Sequence, residues 1–486
     1  MWVSTHLLPA ITQINQKFNA GVNKVSLLKS QVYDCIIVGA GLSGLIAARN
    51  LHRSGHNILL IEARDRLGGR MYGRTLESGQ WIDLGGQWVG PTQDRFLALL
   101  DEYQVRRFPS PAQGKTVLVF NNKHYEFNGF FQGFHEGEIP DLPEEEWQDA
   151  MTAWERFHEL SNAMPEGYPQ PNEQNKRLDS DTFSRWIEDN THTDFGRWYF
   201  SYLCRAAGFL GPAEPSQVSL LHLLWGQNSA PQSEYPEAEL LHGGAGQIPE
   251  KIAAEFSDRI HLNEPVLSIH QSETEVEVKT SQNCFTAKFV IVAMPPHLAG
   301  RIHYDPPMPP SRAQLTQRVP MGCCAKILIS YDRPFWREKG LAGIAKGNCE
   351  WIELCADSSD PETGVGVIAT FVVGDRYGRW QPMNEADRRA AVLSDLAIYF
   401  GDQALSPVTY DEVDWPSESW TGGGYAAYMP PGVWTSFGDA LITPVGRIYW
   451  AGTEMADRWA GFFDGAVRTG EAAAELVQDN LQIKLD

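Results

Sequence analysis

Six residues, Gly39-Ala40-Gly41-Leu42-Ser43-Gly44, follow the apolar run Cys35-Ile36-Ile37-Val38 and lead into Leu45-Ile46-Ala47-Ala48. They match G-x-G-x-x-G, in which the glycines allow a tight turn, close approach of the main chain to a pyrophosphate, and tight packing of the helix that follows. The N-terminus of that helix directs partial positive charge at the phosphates. A second apolar run, Asn57 to Ile61, ends at Glu62, 18 residues after Gly44, where a carboxylate accepts hydrogen bonds from a ribose. The chemistry this spacing fits is binding of a dinucleotide. Alone, the pattern is a common glycine turn that need hold no ligand; strand, helix and acid together make it a βαβ unit built for one.

After Glu62 come Ala63-Arg64-Asp65-Arg66-Leu67-Gly68-Gly69-Arg70 and then Asp83-Leu84-Gly85-Gly86-Gln87-Trp88-Val89-Gly90. A nicotinamide enzyme has no use for a second glycine pair beside an arginine. With these residues the chain resembles the flavin amine oxidase family, monoamine oxidase among its members, over almost its whole length from about residue 32. The likeness continues through Gly243-Gly244-Ala245-Gly246-Gln247-Ile248-Pro249, Val266, Val292-Ala293-Met294-Pro295-Pro296, Met321-Gly322-Cys323-Cys324-Ala325-Lys326 and Pro334-Phe335-Trp336-Arg337. It ends with Trp420-Thr421-Gly422-Gly423-Gly424-Tyr425, Ala451-Gly452-Thr453-Glu454 and Trp459-Ala460-Gly461-Phe462.

The resemblance implies FAD as cofactor, the second glycine pair passing under its pyrophosphate and ribityl chain. It implies cofactor contacts at Gly39, Gly41, Leu42, Ser43, Gly44, Glu62, Ala63, Arg64, Gly69, Arg70, Gly86, Gln87, Trp88, Val266, Pro295, Trp420, Tyr425, Gly452, Glu454, Gly461, Phe462 and Ala466. Three of its implied residues bear on catalysis. Tyr425 and Phe462 match the aromatic pair that flanks the amine before the flavin, a slot that favours a neutral amine and aligns its C–H bond. Lys326 matches a lysine that holds a water against the flavin N5. A helix beginning over Gly461 to Ala466 would point its dipole at the flavin and stabilise the charge of the reduced ring. Taken singly, each ring would be read as core and the lysine as solvated.

Three departures from monoamine oxidase carry consequences. Gly424 replaces the cysteine that bonds the flavin, so FAD is expected to be noncovalent. The C-terminal membrane helix is missing, so a soluble, cytoplasmic protein is expected. Phe462 replaces a tyrosine and removes a hydroxyl from one wall of the slot.

The elements that must position these residues follow from periodicity. Continuous apolar runs at Cys35–Val38, 57–61, Phe289–Ala293 and Arg447–Gly452 read as buried parallel strands. Alternation over 325–373, as in Ile327-Leu328-Ile329-Ser330-Tyr331, reads as a second sheet, and the aromatic, acidic stretch 106–240 reads as helices and loops. The fold class expected is α/β: a discontinuous Rossmann-like FAD domain (32–105, 241–320 and 410–486) interleaved with an α+β substrate domain (106–240 and 321–409). Residues 1–31 form an N-terminal extension; they contain no Asp or Glu but lack the arginines and long apolar run of a targeting peptide.

Composition bounds the partners. With 40 Lys and Arg against 61 Asp and Glu the net charge is −21, which repels nucleic acid and attracts a cation. Residues 106–240 hold 21 acids and 10 bases, an imbalance that fits a small cationic amine, a polyamine or diamine first. No run of 18 apolar residues is present to cross a membrane. Seven cysteines with no metal-ligand spacing argue against a bound metal and fit reduced thiols, Cys323 and Cys324 forming a redox pair or simply packing. The expected reaction is oxidation of the amine to an imine, hydrolysed to an aldehyde, with O₂ as electron acceptor. The alternatives are a monoamine oxidase, an L-amino acid oxidase, which needs a cation such as Arg205 to grip a carboxylate, and a flavin-binding module without activity.

Overall fold

The computed structural model describes residues 32–129, 141–206, 211–230 and 237–482. The expected N-terminal extension lies outside the described residues. The first strand, Val32–Val38, ends in four buried residues, because neighbours cover both of its faces. Gly39 turns the chain with φ +103°, and the helix Leu42–Arg53 returns it to the strand Ile58–Ile61, parallel to the first with Cys35 opposite Ile58. The ten-residue strand Cys284–Ala293 lies on the other side of the first strand, also parallel. Its second half pairs with Ile448–Ala451 in parallel, and its first half with Val276–Thr280 in antiparallel. Val266–Gln271, His303–Asp305 and Ile260–His261 complete this eight-stranded sheet. The helix Phe463–Gln482 crosses Leu42–Arg53 closely enough that a Cβ at Gly470 would overlap the Ser43 carbonyl, and Ser43 and Thr469 hydroxyls bond at 3.0 Å.

The second sheet has seven strands in the order Thr409–Asp414, Cys324–Tyr331, Gly366–Val373, Leu354–Asp357, Leu341–Gly347, Lys115–Phe120 and Lys123–Asn128. The alternation read over 325–373 accounts for its middle. Its two last strands correct the reading of 106–240 as helices and loops: Thr116 to Phe120 are all buried, and Asn121-Asn122 form the turn with φ +50° and +61°. Two consecutive positive φ values suit a two-residue hairpin turn, and asparagine tolerates them better than other side chains. The strand Thr409–Asp414 pairs with Cys324–Tyr331, so this sheet runs past residue 409.

The described part of 141–230 holds five helices, Glu144–Asn162, Glu173–Ser180, Phe183–Asn190, Asp194–Arg205 and Leu220–Ser229. Asn172, Thr182 and Thr193 cap three of its helices by accepting the N–H three residues on. Its aromatics pack on one another, with Phe183 and Trp186 stacked at 5.5 Å and Trp186 edge-on to Phe200 at 5.1 Å. Among the described residues no helix is long and apolar enough to cross a membrane.

Candidate active site

The glycine turn opens one wall of a deep cavity at the C-terminal ends of the parallel strands, the position at which open α/β sheets bind ligands. Its three glycines are required for different reasons. A Cβ at Gly39 would lie 2.6 Å from the Ala293 carbonyl oxygen, and one at Gly44 would overlap the carbonyl of Gly39. Gly41 is different: a Cβ there meets no protein atom within 4 Å and would project into open space. Protein packing therefore does not demand glycine at 41, whereas a ligand backbone lying against the turn would. Glu62, buried at the end of the second strand, accepts the Ala40 N–H at 2.7 Å and the Arg64 N–H at 3.0 Å, which aims its carboxylate along the same cavity.

A second cavity adjoins the first, and Arg70, Gly86, Tyr425, Gly461, Phe462 and Phe463 line both. One wall is the second sheet. Lys326 lies opposite Phe371 in register and Lys346 opposite Leu354, and all four face the cavity from four successive strands. The opposite side is closed by the turn at Gly461, with φ +82°, and the first residues of the helix Phe463–Gln482. Phe462 is held edge-on to Trp459 at 5.0 Å, and the Tyr425 hydroxyl reaches the Ala206 carbonyl at 3.4 Å.

The flavin-containing amine oxidoreductase family model matches residues 42–478, a span that contains every wall of both cavities except the first strand and turn. The chain belongs to this family. An L-amino acid dehydrogenase of Synechocystis is 71% identical over 444 residues, 91% of this chain and 94% of that protein. Among solved structures, cyclohexylamine oxidase from Brevibacterium oxydans superposes with a TM-score of 0.87 at 30% identity, covering 93% of this chain and all of the other. Putrescine oxidase bound to putrescine does so with a TM-score of 0.86 at 30% identity, covering 92% and 99%.

This amine oxidoreductase holds FAD, and its first cavity fits that group: an open glycine for the pyrophosphate, a helix N-terminus, and an acid for the ribose. Of the residues expected to touch cofactor, Gly39, Gly41, Leu42, Ser43, Glu62, Ala63, Arg64, Gly69, Val266, Pro295, Trp420, Gly452 and Ala466 line the first cavity only. Arg70, Gly86, Tyr425, Gly461 and Phe462 line both, and Gln87 and Trp88 line the second beside Lys326. Two of them line neither. Gly44 serves helix packing, and Glu454 sits behind Arg70, accepting from its guanidinium at 2.6 and 3.1 Å. Burial opposes ionisation of Glu454, but the Arg70 charge outweighs it and holds the carboxyl below its usual range. Arg70 thus has its donors fixed on Glu454 and on the Tyr425 carbonyl, 2.6 Å away. The helix expected over Gly461 to Ala466 begins at Phe463, because Gly461 adopts a left-handed turn conformation.

Lys326 is buried rather than solvated. Its ammonium donates to the Gly85 carbonyl at 2.6 Å and to the Gln87 side-chain oxygen, and lies 5.2 Å from the Trp88 ring. Burial pushes its pKa down from 10.5 to about 7, against the pull of Asp83, Cys324 and Glu237. Asp83, whose carboxylate takes the Ala245 N–H and the Trp81 indole N–H, is pushed up by burial to about 6.

Several site residues escaped the sequence reading. Arg64 donates to Glu418 and Thr421 as well as Glu62, a clamp across more than 350 residues that no local pattern signals. Phe371, Leu354, Lys346, Tyr202, Trp415 and Glu237 all line the second cavity. Arg205, considered as a carboxylate anchor, does not line it: it is bound two-pronged to Glu353 at 2.7 and 2.8 Å and to Glu214 at 3.2 Å. Most of the described acids of 106–240 also lie elsewhere. Glu144 and Glu145 are exposed in the first turn of a 19-residue helix, where its dipole favours them. Of that stretch's described acids, only Glu237 reaches the cavity. All seven cysteines are unpaired, Cys323 exposed and Cys324 buried, so they form no disulfide.

Proposed function

We propose that this flavin amine oxidoreductase oxidises the Cα–N bond of an L-amino acid to the imino acid, which water hydrolyses to a 2-oxo acid and ammonia. The observation that carries the reading is the 71% identity to an L-amino acid dehydrogenase across both cavities. The cavity's charges support it. Arg70, Lys326 and Lys346 line the second cavity against Glu237 and Asp357, and Asp357 is already taken up by Trp336 and Arg337 at 2.8 and 2.7 Å. Arg70, held by Glu454, is the cation on this wall that suits a substrate carboxylate, while burial pushes Lys326 and Lys346 toward their neutral forms.

FAD, when bound, supplies the two-electron acceptor. In this reading Tyr425 and Phe462 clamp the amine between two rings, orienting its C–H bond and excluding water. Lys326, fixed by Gly85 and Gln87, holds a donor at the junction of the two cavities. A diamine such as putrescine is the second reading, favoured by the likeness to putrescine oxidase and by the carboxyl of Glu237 in the cavity.

Anaerobic bleaching of the flavin by L-phenylalanine, phenethylamine, benzylamine and putrescine decides between them. The amino acid is expected to bleach it at least ~10-fold more efficiently than its own decarboxylated amine, an interaction with one carboxylate being worth roughly that much or more. Faster bleaching by putrescine, with kcat/KM falling as salt is added, would replace the amino acid reading with the diamine one. The relative's designation as a dehydrogenase speaks for an acceptor other than O₂, and the oxidase structures for O₂. Stoichiometric H₂O₂ in air would establish O₂.

A further inference from the structure

We infer that Glu237 receives the substrate's ammonium group in the second cavity and takes one proton from it, delivering a neutral amine to the slot between Tyr425 and Phe462. The inference rests on the reading that an amine or amino acid is oxidised there.

The position of Glu237 is fixed by its main chain. The Ser110 hydroxyl donates to the Glu237 carbonyl at 2.8 Å, and the Ser110 N–H donates to the Ala238 carbonyl at 2.8 Å. The next residue, Glu239, pairs with Pro109 in a short antiparallel ladder. Glu237 therefore stands two residues before the held strand Glu239–Leu241, lining the cavity together with Tyr425, Lys326 and Tyr202. Among the described residues, the charged and titratable groups that feel it include Lys326 from the second sheet, Tyr202 from the helix Asp194–Arg205 and Tyr425 from the loop before the C-terminal part of the chain, and Arg70, Lys346 and Asp357 line the same cavity. Burial lifts its carboxyl to about 7, with the Lys326 charge pulling the other way.

An amine enters from neutral water as the ammonium, whose nitrogen has no lone pair to release. The low-dielectric surroundings that raise a carboxylic acid also lower an ammonium, so the two proton affinities converge once both are inside. In the transfer the N–H bond breaks, the O–H bond forms, and the electron pair stays on nitrogen. Ammonium and carboxylate become amine and acid, so neither of these two groups leaves a charge facing the aromatic slot, and the α-carboxylate of an amino acid keeps its own. A carboxyl near 7 is matched to this task at physiological pH.

The test is the pH dependence, from 6 to 10, of the second-order rate of anaerobic flavin reduction by L-phenylalanine and by phenethylamine. The wild-type rate is expected to rise through an apparent pKa near that of Glu237 and then level. In Glu237→Gln that limb should vanish and the rate should climb about tenfold per pH unit toward the substrate's own pKa, giving a loss on the order of 100-fold at pH 7.5 that fades above pH 9.5. Flavin absorbance shows that the variant holds its cofactor. If it does not, Glu237→Asp carries the test, and a limb that stays at the wild-type position in that variant overturns the inference. So does a loss in Glu237→Gln that is equal at every pH, which marks a role in packing or in binding a distal cation. Failure of the wild-type protein to bleach with any amine or amino acid is the separate result that removes the underlying reading.

Discussion

Replacing Lys326 with methionine separates the cost of burying this lysine from its use. The side chain is 3% exposed, its ammonium donates to Gly85 and Gln87, and its pKa lies at about 7 instead of 10.5. Between these two values the unfolded chain carries the proton and the folded chain does not. The unfolded state therefore binds more protons, and stability rises with pH across the window from 7 to 10.5. At about 1.36 kcal/mol per unit, the penalty in the wild type falls by roughly 2–3 kcal/mol between pH 6 and pH 9. Methionine keeps the length of the side chain and abolishes the titration. It also leaves the two acceptors without this donor, costing roughly 1–3 kcal/mol each, but that cost does not vary with pH. Urea unfolding of both proteins, at fixed excess FAD, should show the wild type gaining roughly 2–3 kcal/mol on the variant from pH 6 to pH 9. A difference flat across that range would mean that the lysine is not held in a dry site, and would remove the basis for its place at the cavity junction. In the same variant FAD should stay bound while flavin reduction and reoxidation slow by about 100-fold.

Gly41→Ala and Gly44→Ala should fail in different ways: the first folds and weakens FAD binding by about 100-fold, while the second loses folding stability because its Cβ meets the Gly39 carbonyl. Thermal melts and flavin titrations of the two separate these outcomes. Acid precipitation should leave all the yellow colour in the supernatant, because Gly424 offers no thiol and burial pushes the nearby Cys324 thiol up to about 12, away from the reactive thiolate; colour in the pellet would contradict it. Arg205→Met should cost about 3 kcal/mol by leaving the fully buried Glu353 with only Arg376, 3.2 Å away, while the order of substrate preference stays the same. A changed amino acid preference in that variant would bring Arg205 back as a carboxylate anchor.

The first cavity could be read from the chain because its walls are made of local signals. A turn that needs glycine at 39, 41 and 44, a strand that ends on Glu62, and a helix that follows are each encoded within 24 residues, and all of them meet at one sheet edge. The second cavity is made of pairings. Lys326 was legible through the motif around it, but its neighbours Phe371, Leu354 and Lys346 become neighbours only when four strands align. The Asn121-Asn122 turn was a missed signal of the simpler kind, since two residues that tolerate positive φ stand between the runs 115–120 and 123–128.

Charge was the least legible of all. The count over 106–240 predicts an acidic funnel, yet the helix Glu144–Asn162 turns its glutamates to solvent or uses them as caps, Glu146 accepting the Phe195 N–H at 2.8 Å. Asp149 and Asp179 likewise bind main-chain N–H groups of Thr193 and Thr435. Sequence counts weigh every acid alike, whereas a cavity feels only those whose backbone is fixed at its rim. At that rim the stretch leaves a single described carboxyl, Glu237, in the same cavity as Lys326, whose charge burial opposes. Among the described residues one acid at the rim does not make the funnel that a polycation would need, but it can hold one ammonium and one proton.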